Sequence, residues 1–164
     1  MNEQKQKFSH FLTLCDDYAT ARLAFSTAER AAESIREAVA ERIKAEQAQT
    51  AGRVAELERL VQDGSRPAST RRVWELEFDQ LKARTFSATL DEAAAFDNEV
   101  AAAQEAVDDM YRLQGEIREA ISAVNGAITE LRAQTLGDPV TGLWENRLDG
   151  VRKGFAPLCR EVSA

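Results

Sequence analysis

The chain of 164 residues is poor in proline (3), glycine (8) and aromatics (7%), and its abundant alanine, glutamate, arginine and leucine favour helices packed through aliphatic contacts. A net charge of −7 excludes a general nucleic-acid surface, which needs a basic face. No window approaches the roughly 18 apolar residues of a membrane span.

The N-terminal stretch MNEQKQKFSHFLTLCDD has no long apolar core of a secretory signal. A cytoplasmic location is therefore expected, with Cys15 and Cys159 as reduced thiols. Small size and arginine used over lysine point to a bacterial source. Two interruptions, DGSRPAS (63–69) and LGDPVTG (136–142), cut the sequence into three helical pieces. These run over about 3–62, 70–135 and 140–162 and form one helical domain, 1–164.

The first piece carries an apolar stripe at Leu14, Tyr18, Ala21, Phe25, Ala28, Ala32, Ile35 and Val39. After Val39 the spacing slips through Ile43, Gln47 and Thr50, then resumes at Val54, Leu57 and Val61. Two successive steps of four are a stutter, which unwinds a supercoil locally. The second piece shows the strongest period: Phe96, Val100, Ala103, Val107, Met110, Gln114, Ile117, Ile121, Val124, Ile128 and Leu131 alternate steps of four and three. That is a heptad stripe. A further column, Ala106, Leu113, Ala120 and Ala127, widens the face beyond a two-stranded seam and suits a helix with more than one neighbour.

Within the second piece, RTFSATLDEAA (84–94) is the weak place. Its threonines and serine are poor helix formers, and Thr89 can cap a new start before Asp91 and Glu92. Without a glycine or proline there, one continuous helix over 70–135 is favoured. The alternative is a break near 85–90. The third piece repeats the period at Trp144, Leu148, Val151, Phe155, Leu158 and Val162, with a kink or break expected near Gly154 to Pro157. The expected fold is all-α: a long, coiled-coil-like antiparallel hairpin closed at its open end by a third, C-terminal helix. With the break, it becomes a compact four-helix bundle. The main core is expected from Phe8, Phe11, Leu12 and Cys15, from Val124, Ile128 and Leu131, and from Trp144 through Leu158.

Candidate chemistry is sparse. His10 is the single histidine, which excludes paired Glu-x-x-His di-iron ligation, leaves too few ligands for zinc, and denies a nucleophilic triad its base. Glu105 with Asp108 and Glu116 with Glu119 have the spacing of magnesium-binding carboxylates. They stand 11 residues apart, about 16 Å along one helix, too far to share an ion. A metal-dependent enzyme using surface carboxylates is the disfavoured alternative. No catalytic, metal or cofactor site is assigned, and an enzyme is not expected.

Charge is more informative. Asp91, Glu92, Asp97, Glu99, Glu105, Asp108, Asp109, Glu116 and Glu119 face only Arg112 and Arg118 in the same stretch. The first turn is basic, with Arg66, Arg71 and Arg72 as candidate partner-binding residues. The helix macrodipole disfavours Arg71 and Arg72 at a helix start, so something else favours them. An antiparallel hairpin turning near residue 66 pairs positions that sum to about 132. Gln114, the polar gap in the heptad stripe, then faces Tyr18. These two are read as a buried pin that fixes register, and Gln114→Leu is expected to raise stability.

The stretch RVWELEFDQL (72–81), with an aromatic just inside a basic helix start, resembles the second-helix start of the stalk proteins of type III and flagellar export machines. It spans about ten residues and lacks a diagnostic motif. Those proteins usually lack a third helix like 140–162. The resemblance implies docking to an export ATPase or to escort chaperones. The reading that follows is a non-enzymatic helical interaction or structural protein. It offers an acidic flank and an arginine-bearing tip to unidentified protein partners, with a homodimer possible, and it binds neither nucleic acid nor membrane. A stalk, escort or assembly component of a bacterial export or phage machine is the alternative.

Overall fold

The computed structural model describes residues 2–123, 143–159 and 162–163. Their helices are α1 (Asn2–Gln62), α2 (Ala68–Lys82), α3 (Leu90–Ser122) and α4 (Leu143–Phe155). Two strands of two residues each, β1 (Thr85–Phe86) and β2 (Val162–Ser163), pair antiparallel. The fold is all-α: α1 packs against α3 as a helical hairpin, with α2 and α4 as further helices. Two compact units form, Met1–Glu33 with Phe96–Lys153 and Ser34–Ala95 with Gly154–Ala164.

The first unit follows the heptad pattern. Leu14, Tyr18, Ala21, Phe25, Ala28 and Ala32 of α1 are buried, as are Phe96, Val100, Ala103, Val107, Met110 and Ile117 of α3. Ala106 and Leu113 are buried beside that stripe, so α3 spends a wide apolar face on two neighbours. One is α1. The other is α4, where the Tyr111 hydroxyl donates to the Glu145 carboxylate.

Against α1, Trp144 meets Phe25 edge-on with ring centroids 5.2 Å apart, a favoured aromatic geometry. The Arg147 guanidinium lies 5.0 Å from the Phe25 centroid and 5.2 Å from that of Trp144. It also donates from Nε to Glu29 Oε1 at 3.1 Å. Trp144, Leu148 and Val151 are buried on this side.

Three expected core residues are not in the core, among them Leu158, which is half-buried in the turn after α4. Phe8 and Leu12 are 41% and 40% exposed, whereas Phe11 and Cys15 are buried. Leu12 stands one residue past Phe11, about 100° round the helix, and Phe8 lies beyond the last buried position of the stripe. Val124, Ile128, Leu131 and the LGDPVTG turn fall outside the described residues.

The second unit departs from the continuous second helix. The chain leaves helical geometry over 83–89, within the weak stretch. Thr89 and Glu92 form a capping box: Glu92 N–H donates to Thr89 Oγ1 at 3.1 Å, and Thr89 N–H to Glu92 Oε2 at 2.8 Å. A helix start satisfied this way competes with continuation. The segment before it is clipped by β2, with Thr85 opposite Ser163 and Phe86 opposite Val162. Ala88 N–H donates to the Leu158 carbonyl at 2.7 Å.

Helix α4 ends at Phe155 and tightens into a 3-10 turn, Ala156–Cys159, where Pro157 stops an α-helix. Val162, expected on the third helix, is therefore in a strand. The hairpin turn is built by Asp63, whose Oδ1 accepts the Ser65 N–H at 3.0 Å. Pro67 follows, and its carbonyl accepts from Thr70 and Arg71.

Trp144→Ala should cost about 3–5 kcal/mol in denaturant unfolding, the range for a buried tryptophan. A loss below about 1 kcal/mol would mean that α4 contributes little to holding the first unit.

Candidate functional site

The surface of interest lies where α1 ends and α2 begins. α2 repeats apolar residues at helical spacing, yet none of its residues is buried. The two helices are fastened by charge: Arg53 holds Glu77 through Nε at 2.8 Å and Nη2 at 3.1 Å, and Glu56 through Nη1 at 2.7 Å. Such forked pairs fix orientation as well as add energy. On the same stretch of α1, Leu57 is buried.

Outside this seam, Val73 and Leu76 are 62% and 52% exposed. A groove of about 430 Å³ runs between the helices, floored by Val61, Leu76 and Phe78 and edged by Glu58, Glu75, Asp79 and Arg72. A second cavity of about 390 Å³ lies at the other end of α2, lined by Gln47, Thr50, Val54, Leu81, Lys82 and Phe86.

The three candidate arginines differ. Arg66 is exposed. Arg72 is exposed and lies 3.6 Å from Glu75, a surface pair worth little. Arg71 is half-buried in the first turn of α2, and its Nε is buried without a hydrogen-bond partner among the described residues. The tip therefore offers Arg66 and Arg72 to a partner more readily than Arg71.

The acidic run on α3 is partly neutralised. Arg112 draws in Asp109 at 3.1 Å and Glu116 at 2.8 Å. Glu92 is taken by Arg42, with Nε at 2.8 Å and Nη2 at 2.6 Å, while Arg42 also reaches Glu46 at 2.9 Å and the Ser87 carbonyl at 3.0 Å. Asp91, Asp97, Glu105, Asp108 and Glu119 remain exposed. Among the described residues no three of His, Cys, Asp and Glu gather as a metal site would require. His10 is exposed. Burial, with Asp16 beside it, raises the Cys15 thiol above its ordinary range, which keeps it protonated and a poor nucleophile.

Gln114 Nε2 donates to Tyr18 Oη at 3.0 Å, and 18 and 114 sum to 132. The Arg42–Glu92 clamp and the solvent-facing side of α2 are structural features that pattern reading misses. The signal for the first was present in Thr89-x-x-Glu92, the capping-box spacing. For the second it was the apolar period of RVWELEFDQL, which does not say which face is covered.

No family model, no curated protein and no solved structure matches the chain.

Tyr18 is 1% exposed, which changes the expectation for Gln114→Leu. Alone it strands a buried hydroxyl and should cost about 1–3 kcal/mol. Paired with Tyr18→Phe most of that loss should return. A double-mutant cycle by urea unfolding checks this, and additive single losses would mean the two side chains are uncoupled.

The hydrogen bonds from Arg42, then those from Thr89, hold the Glu92 carboxyl below the ordinary glutamate range, and Arg53 does the same to Glu77. A depressed carboxylate contributes stability above its unfolded value, lost as pH falls through its folded value. The melting temperature should fall once pH drops below about 4–5. Glu92→Gln should lower it at neutral pH and converge with the parent in acid. Parallel curves at all pH values would contradict the clamp.

Proposed function

We propose that the protein is a non-enzymatic helical interaction module whose working surface is the α1–α2 tip. The observation that carries this reading is α2 itself. A helix with an apolar face and no buried residue leaves valine and leucine in water beside mobile-length arginine side chains, the composition of a recognition surface. Val73 and Leu76 supply apolar anchors, Arg66 and Arg72 supply charge, and the Arg53–Glu77 fork holds α2 in place to present them. The exposed acids of α3 supply a second surface that favours basic partners and steers encounter.

Photo-crosslinking residues placed at Leu76 and Arg66 in the source cell should each trap protein. Arg66→Glu with Arg72→Glu should weaken the trapping without changing the helical circular dichroism. Titration calorimetry with magnesium and manganese should show no heat and no rise in melting temperature. Micromolar metal binding with a raised melting temperature would replace the interaction reading by the metal-enzyme one, because a ligand of the native state must stabilise it.

A further inference from the structure

The uncovered face of α2 has an order of charge that selects its occupant. Arg72, Val73, Leu76, Asp79, Gln80 and Ala83 are all exposed, and their spacing of three and four puts them on one side of the helix. Leu76 is central. A base, Arg72, stands one turn before it, and an acid, Asp79, one turn after. Asp79 makes no ion pair among the described residues. Arg72 is held only by Glu75, at 3.6 Å with its own side chain 74% exposed. Both charges are free to re-pair.

Consider a second α2 laid antiparallel across this face with the two-fold axis at Leu76. Leucine meets leucine, and positions that sum to 152 oppose one another, so Arg72 of each copy faces Gln80 of the other, with Asp79 one residue away, about 1.5 Å along the axis and within the reach of an arginine side chain. A parallel alignment instead sets arginine on arginine and aspartate on aspartate. The groove beside α2 reinforces the choice. Its rim holds Glu58, Glu75 and Asp79 against one arginine, and the segment offered by a second copy is the arginine-bearing start of α2. A two-fold interface requires a patch complementary to itself, and this patch is.

We infer that the protein self-associates as a two-fold symmetric dimer through α2, with Leu76 on the axis and two Arg72–Asp79 ion pairs flanking it. The inference rests on the tip being an interaction surface and names its occupant as a second copy. A helix of 15 residues spans only about 22 Å, so the interface is small and the dimer reversible.

Sedimentation velocity on the full chain at tens of micromolar tests it. The parent should sediment as a dimer in exchange with monomer. Asp79→Arg and Arg72→Asp each place like charges opposite one another, and each should weaken association about tenfold or more. An equimolar mixture of these two variants restores both opposite-charge contacts in a heterodimer and should associate as the parent does. So should the double swap Arg72→Asp with Asp79→Arg. Circular dichroism should be unchanged, since both side chains are exposed.

A parent that stays monomeric, or variants that dimerise unweakened, or a mixture that fails to associate, each overturns the α2 dimer. If the parent is monomeric while Leu76 crosslinks trap a different protein, the dimer fails and the interaction reading stands. If neither occurs, both fail.

Discussion

A single helix of 61 residues can keep one apolar stripe against one straight neighbour only while its steps alternate between three and four. In α1 the alternation fails at Val39, Ile43 and Gln47. Three consecutive steps of four, from Ile35 to Gln47, carry the stripe about 120° round the helix, and a neighbour in heptad register cannot follow it there. The second arm does not follow. It breaks over 83–89, beside the slip: Arg42 reaches Ser87 and Glu92, Glu46 approaches Arg84, and Gln47 and Thr50 line a cavity with Phe86. Past the slip α1 takes a different neighbour, α2. The capping box at Thr89 is the local chemistry of the break, but the stutter explains why it is needed at that level.

That relation also explains what was readable in advance. The heptad stripe of α3 and the matching stripe of α1 give the hairpin and the Tyr18–Gln114 contact, because a helix buries residues at a fixed period and an antiparallel turn fixes the sum of paired positions. Each half of the break was visible separately, as a stutter in one arm and weak helix formers with Thr89-x-x-Glu92 in the other. Treating the second arm as continuous followed from the missing glycine and proline. Competition from a satisfied helix start and from strand pairing outweighs that rule. The β1–β2 clip was not legible, since two-residue strands have no period and the partner lies 78 positions away, Thr85 opposite Ser163. Phe8 and Leu12 show the opposite failure: an apolar cluster near a helix end implies burial only if a neighbour reaches it.

The candidate surface was legible in composition and not in geometry. Arg66, Arg71 and Arg72 look alike in sequence, but helix phase separates them. Arg72 is exposed, while Arg71, one residue earlier, has its Nε buried without a hydrogen-bond partner among the described residues. The acidic run likewise looks uniform, yet Glu92 belongs to a clamp and Asp109 and Glu116 to Arg112. Phase and reach decide which charges remain for a partner, and neither can be counted from a sequence window.

The tip is held by few contacts. Isolated helices of about 12–15 residues are marginal in water, and α2 begins at Pro67 without a side-chain cap. Its support is the Arg53–Glu77 fork and the turn built by Asp63, both exposed enough to open locally at little cost. Covering Val73 and Leu76 would add apolar burial that the described residues do not provide. A ligand that covered this face would bury Val73 and Leu76 and order α2 in the same event.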